Sequence, residues 1–159
     1  HMDSLQDLAG RSVVSTTGTI NIAQLNELNR TEGLAISVML SRNHEEAFDM
    51  VASGQASAFV MDDILLAGLV SSAADPAAFH ISQATLSSAE PYGLMMPPDD
   101  PVFVELVNKE LRNIYQSETI HTLYEKWFLQ PLPPDNRVLN LPLAPALAAI
   151  FANPEQYIE

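Results

Sequence analysis

The chain has 159 residues, 47% of them hydrophobic, a formal net charge of −13 and no cysteine. That is apolar material enough for a packed core and excludes a disordered chain. Seven Lys and Arg against twenty Asp and Glu exclude a nucleic-acid surface and attraction to an anionic membrane. Without cysteine there are no disulfides, thiolate nucleophiles or Cys-ligated zinc, and no apolar run approaches the ~20 residues of a membrane span. His1-Met2 reads as a cloning remnant, so any export signal is expected to have been removed with the natural start.

In chain order, Leu5 to Gly10 is an entry segment, and Ser12 to Thr16 reads as a strand rich in β-branched residues. Thr17-Gly18-Thr19 forms a tight turn. Ile22, Leu25 and Leu28 then fall at helical spacing over Ile20 to Arg30, with Thr19 or Asn21 as N-cap and Gly33 as stop. Ala35 to Leu40 predicts a second strand. His44 to Ser53 predicts a second helix, capped by Asn43 with Glu46 at capping-box spacing. Ala58 to Asp62 is a short apolar run ending on two carboxylates, followed by a helix from Ile64 with Asp63 as cap. Phe79 to Ser82 reads as a fourth strand.

Three β-then-α units in succession imply parallel strands joined by right-handed crossovers, hence an α/β fold. The pattern changes at Ser87 to Pro91. Tyr92 to Met96 reads as one more strand. Asp99 or Asp100 caps a helix with Pro101 in its first turn, whose apolar face runs from Val102 to Tyr115. A further helix spans about Glu118 to Phe128, Pro131, Pro133 and Pro134 end it, and Ala144 to Phe151 is a last short helix.

Parallel strands place their C-terminal ends on one rim, where open α/β folds bind ligands. That rim would hold the Thr16–Thr19 turn, Arg42 to His44, and Asp62. Hydroxyls beside a helix N-terminus suit an anion, and alone they are as easily a plain cap. His44-Glu45-Glu46 lacks the second histidine of a zinc-protease helix. Asp62 and Asp63 are adjacent and would face opposite ways on a strand, which disfavours a shared-proton dyad. Hydroxyl donors, a histidine and a carboxylate together suit an amphoteric ligand such as an amino acid. Asp62 would take its ammonium, the hydroxyls its carboxylate, and His44 or Arg42 a second acidic group.

Leu8-Ala9-Gly10-Arg11-Ser12-Val13-Val14 followed by Thr17-Gly18-Thr19 resembles the entry to the second lobe of family 3 periplasmic solute-binding proteins. Asn43 to Phe48, Gly54 to Asp63, Glu90-Pro91-Tyr92-Gly93 and Lys126-Trp127-Phe128 extend the likeness, which is strongest to the glutamate/aspartate-binding subgroup of ABC importers. The resemblance implies the three-layer α/β lobe of a type II periplasmic binding protein, with C-terminal helices that normally complete the other lobe. It implies non-covalent binding of an acidic amino acid, glutamate or aspartate, without cofactor, metal or catalysis. It also implies a periplasmic location and ABC permease subunits as partners of the full-length protein. Asp62 would hold the ligand ammonium, Thr16, Thr17 and Thr19 its carboxylate, and His44 its acidic side chain.

Against that family the chain starts at the first lobe crossing. Residues 1–8 would be tag and hinge entry, 9–88 lobe two, and 89–159 a second hinge strand with the returning helices of lobe one. The rest of lobe one, with the arginine that is the family's main carboxylate partner, would be absent. Two expectations follow: weakened amino-acid binding, and self-association through the uncovered C-terminal helices, with arm exchange. A ligand-sensing domain of a receptor or regulator with the same fold is the second reading. An enzyme using Asp62, His44 and Thr17 is the third, with no nucleophile–base spacing to support it.

Overall fold

Val13 and Val14 set the architecture of the first half of the chain. Neighbouring residues on a strand point to opposite faces, and both valines are fully buried. In the computed structural model, which describes residues 2–88 and 92–157, they lie on strand β1 (Ser12–Thr16). Val13 packs with Leu8, Leu25 and Ile36 on one face; Val14 packs with Ala47 and Ala56 on the other. Leu25 belongs to helix α1 (Asn21–Glu32) and Ala47 to helix α2 (His44–Ala52). One helix therefore covers each face, giving an α/β/α sandwich. Burying Leu25 alone contributes about 1.5–3 kcal/mol.

The sheet is parallel, in the order β2-β1-β3, with β2 at Ser37–Ser41 and β3 at Ala58–Phe59. Register runs from Ser12 beside Ser37 to Thr16 beside Ser41, and Val14 lies beside Phe59. Gly33, in the left-handed region at φ 65°, ends α1 as the glycine stop implies. Ala35 also has positive φ, at 52°. It breaks the extended chain, so β2 starts at Ser37 rather than at Ala35. The side-chain amide of Asn29 on α1 accepts from Ile36 N–H at 2.7 Å and donates to Ile36 C=O at 2.8 Å. Asn43 caps α2 as its spacing implies, its Oδ1 accepting from Glu46 N–H at 2.8 Å.

Several sequence expectations are corrected. Helix α1 has Ile20 at its N-cap and no side-chain cap; the Thr19 hydroxyl instead donates to the Thr16 carbonyl at 2.7 Å and closes the turn. Strand β3 is a two-residue ladder, not Ala58 to Asp62, because the chain turns away after Val60 N–H donates to Val14 C=O. Helix α3 (Asp63–Ser71) begins at Asp63, with Asp62 as the N-cap residue. Phe79 to Ser82 joins no ladder among the described residues; the Phe79 ring packs on Phe48 with centroids 4.7 Å apart. Tyr92 to Met96 joins no ladder among the described residues, and Tyr92, Leu94 and Met95 stand exposed. Ala89, Glu90 and Pro91, part of the supposed hinge, lie outside the described residues.

The chain divides into two units, His1–Ser88 and Ala89–Glu159. The second is helical. Asp100 caps α4 (Pro101–Tyr115) by accepting from Phe103 N–H at 3.0 Å, with Pro101 in the first turn. Helix α5 (Thr119–Tyr124) runs into a π-helical turn at Glu125–Leu129, and α6 (Pro145–Ala152) follows. Phe151 is the hub. Its ring meets Tyr115, His121 and Tyr124 edge-on at 5.7, 5.8 and 6.1 Å. The Tyr124 hydroxyl donates to Leu141 C=O at 3.0 Å. Among the described residues no helix is long and apolar enough to cross a membrane.

Candidate functional site

Because the three strands run the same way, Thr16, Ser41 and Phe59 end on one edge of the first unit. The register sets Thr16 beside Ser41, and α2 opens three residues later, so its first side chain, His44, returns over Thr16. Nδ1 of His44 and Oγ1 of Thr16 are 2.7 Å apart. Ser41 Oγ donates to the Asn43 carbonyl at 3.0 Å and reaches the Ser15 carbonyl and Thr16 Oγ1 at 3.4 and 3.5 Å. Ser15, fully buried, donates to the Val60 carbonyl at 3.0 Å and lies 3.3 Å from the Thr19 hydroxyl. A lattice of hydroxyls thus ties the turn after β1 to the ends of both neighbouring strands.

The five sequence-selected residues stand as follows. Thr16 is buried and engaged with His44. Thr17 is exposed at the turn, its backbone N–H on the Ser41 carbonyl at 2.9 Å. Thr19 is half-buried, its hydroxyl on the Thr16 carbonyl. His44 is half-buried at the start of α2. Asp62 is exposed where the chain leaves β3 and makes no side-chain cap to α3. Its neighbour Asp63 accepts from Ile64 N–H at 2.7 Å, so the carboxylate that meets the helix is Asp63's. Arg42 is engaged with Glu46, its guanidinium at 3.0–3.2 Å and its N–H at 2.6 Å from that carboxylate. The guanidinium holds the Glu46 carboxyl below the usual range, and the pair raises Arg42 in turn.

An open groove of about 510 Å³ runs beside this edge, lined by Asn43, His44, Glu45, Ile64, Leu65, Gly68 and Leu69. Sequence reading missed its far wall. Ile64 and Gly68, and Leu65 and Leu69, are four apart and so share a face of α3; Leu65 is 38% exposed. The signal was available in the apolar run after Asp63 but reads equally as core. Among the described residues no group of three or more His, Asp or Glu is placed to hold a metal ion.

No family model matches the chain. Curated proteins do. The L-glutamate/L-aspartate-binding protein of Pseudomonas aeruginosa is 34% identical over 154 residues, 97% of this chain and 51% of that protein. The glutamate/aspartate import solute-binding proteins of Escherichia coli and Salmonella typhimurium are each 34% identical over 148 residues, 93% of this chain and 49% of theirs. The chain is similar to these solute-binding proteins over nearly all of its own length. It spans about half the length of the curated relatives it matches. The parallel α/β/α unit is consistent with a partial lobe of such a protein. Its sheet edge offers hydroxyls, an imidazole and a carboxylate. Such groups can engage a ligand through hydrogen bonds and charge.

Proposed function

We propose that the chain carries one wall of an acidic-amino-acid site in a solute-binding protein for amino-acid import, taking glutamate or aspartate without covalent chemistry. The reading rests on one observation: three relatives named for glutamate and aspartate align over nearly the whole chain. The sheet edge supports it. Asp62 is an exposed carboxylate suited to an ammonium, Thr17 an exposed hydroxyl for the main carboxylate, and His44 a donor for the side-chain carboxylate. Thr16 and Thr19 shape the turn that carries Thr17. In the whole protein, residues 9–88 would form the second lobe, and 89–159 a hinge strand and helices that complete the first. Hinge closure would trap the ligand for an ABC permease, in the periplasm.

Calorimetric titration with glutamate, aspartate, glutamine and asparagine tests this on the parent, His44→Ala and Asp62→Ala. Asp62→Ala is expected to abolish amino-acid binding, and His44→Ala to erase the preference for acidic side chains. Equal affinities for all four in the parent would overturn the assignment of an acidic ligand.

A further inference from the structure

A buried hydroxyl needs an acceptor for its single hydrogen. Thr16 Oγ1 is such a group, and among the described residues it has two neighbours within reach: His44 Nδ1 at 2.7 Å and Ser41 Oγ at 3.5 Å. The Ser41 contact is too long for a good O–H···O bond, and Ser41's own hydrogen has the nearer Asn43 carbonyl at 3.0 Å. The Thr16 hydrogen therefore goes to Nδ1. A ring nitrogen that accepts carries no hydrogen, so in the neutral imidazole the proton sits on Nε2. Asn43, which caps α2, fixes the backbone from which His44 projects.

We propose that Thr16 is a positioning residue, donating its hydroxyl hydrogen to Nδ1 of His44 and holding the ring as an Nε2–H donor beside the groove. This deepens, and rests on, the reading of the edge as an acidic-amino-acid site. A ring locked this way gives a ligand oxygen a hydrogen without taking a proton from solvent. It also offers no acceptor to an ammonium or amide N–H, which disfavours ligands that bring donors to this position. Thr16 then acts on the ligand only through His44, and its side chain makes no ligand contact of its own.

Long-range proton–nitrogen correlation spectra of the histidine rings, recorded on the chain at a pH well above ~6.5, test the lock without any ligand. His44→Gln assigns the signals. The parent is expected to show an unprotonated Nδ1 and a protonated Nε2. Thr16→Val should convert this to a mixture of tautomers, and Thr16→Ser should keep it. A protonated Nδ1 in the parent overturns the proposal, whether or not Thr16→Val folds; so does an unchanged pattern in folded Thr16→Val. Glutamate affinity is expected to fall roughly tenfold in Thr16→Val and to return in Thr16→Ser. If Thr16→Val loses glutamate with the tautomer unchanged, Thr16 is a direct ligand contact and the positioning role fails. If the parent shows the lock but binds no acidic amino acid, the functional reading fails and the lock stands.

Discussion

Val13 and Val14 each vanish into a separate core in the first unit, whereas the second unit buries Tyr124, Ile150 and Phe151 and leaves Val102 79%, Leu106 55% and Trp127 50% exposed. The difference lies in architecture rather than composition. A strand presents alternate residues to two faces, so one short sheet with a helix on each side encloses two apolar layers. Three short helices gathered around one phenylalanine enclose a single small centre, and the rest of each apolar stripe stays in water. A stripe at helical spacing reports which residues share a face; it does not report that the face is covered.

The comparison is most sharply tested at the two centres. Phe151→Ala should cost the second unit about 3–5 kcal/mol, and Leu25→Ala should cost the first about 2–5 kcal/mol. Amide exchange read separately over α4–α6 and over β1–α2 would measure each. A loss under about 1 kcal/mol at Phe151, a third of the least expected, would mean that the helices are held by something other than that ring.

Smaller is the cap of α2. Asn43→Ala removes the acceptor of Glu46 N–H and should cost about 1 kcal/mol by urea unfolding. Because His44 is the next residue, the same change should loosen the imidazole at the sheet edge.

Acid should act on the first unit through surface carboxylates. Glu46 is held below its ordinary value of 4.5 chiefly by Arg42, Glu27 by Arg30, and Asp7 below 3.8 chiefly by Ser4 N–H. Each takes up its proton more readily in the unfolded chain. The stability they contribute is therefore complete above the unfolded values and is lost as pH falls through the lower, folded ones. Urea midpoints followed downward from about pH 5 should decline, less steeply in Glu46→Gln; a parallel decline in both would remove Glu46 from the account.

The least effect is expected on the exposed stripe. Val102→Ser should change stability by no more than about 0.5 kcal/mol. A cost above about 1.5 kcal/mol would show that the α4 face is covered in solution, and sedimentation of the parent would then report whether a second copy covers it.

Local chemistry was legible in the sequence. The Asn43 cap, the Gly33 stop, the Asp100-Pro101 start of α4 and the β-branched run of β1 each depend on residues within a turn of one another, and each is found where the pattern places it. The supposed strands at Phe79 to Ser82 and Tyr92 to Met96 have strand-like residues but join no ladder among the described residues, and strand pairing is not a local property. The Thr16–His44 bond was hidden for the same reason. The two residues are 28 apart, and they meet because the parallel register sets Thr16 beside Ser41. Sequence reading put both on one rim and gave each its own ligand group, the main carboxylate to Thr16 and the acidic side chain to His44.

The Asn29 amide bears on how this sheet meets other chains. Ser37 N–H points inward to Arg11 C=O on the β1 side, so the N–H and C=O of Ile36, one residue earlier, point outward, and Asn29 occupies both. A side chain on α1 stands in for one residue of a neighbouring strand. An incoming extended segment would have to evict that amide before pairing at the start of β2, an edge strand of the sheet and so open to strand addition.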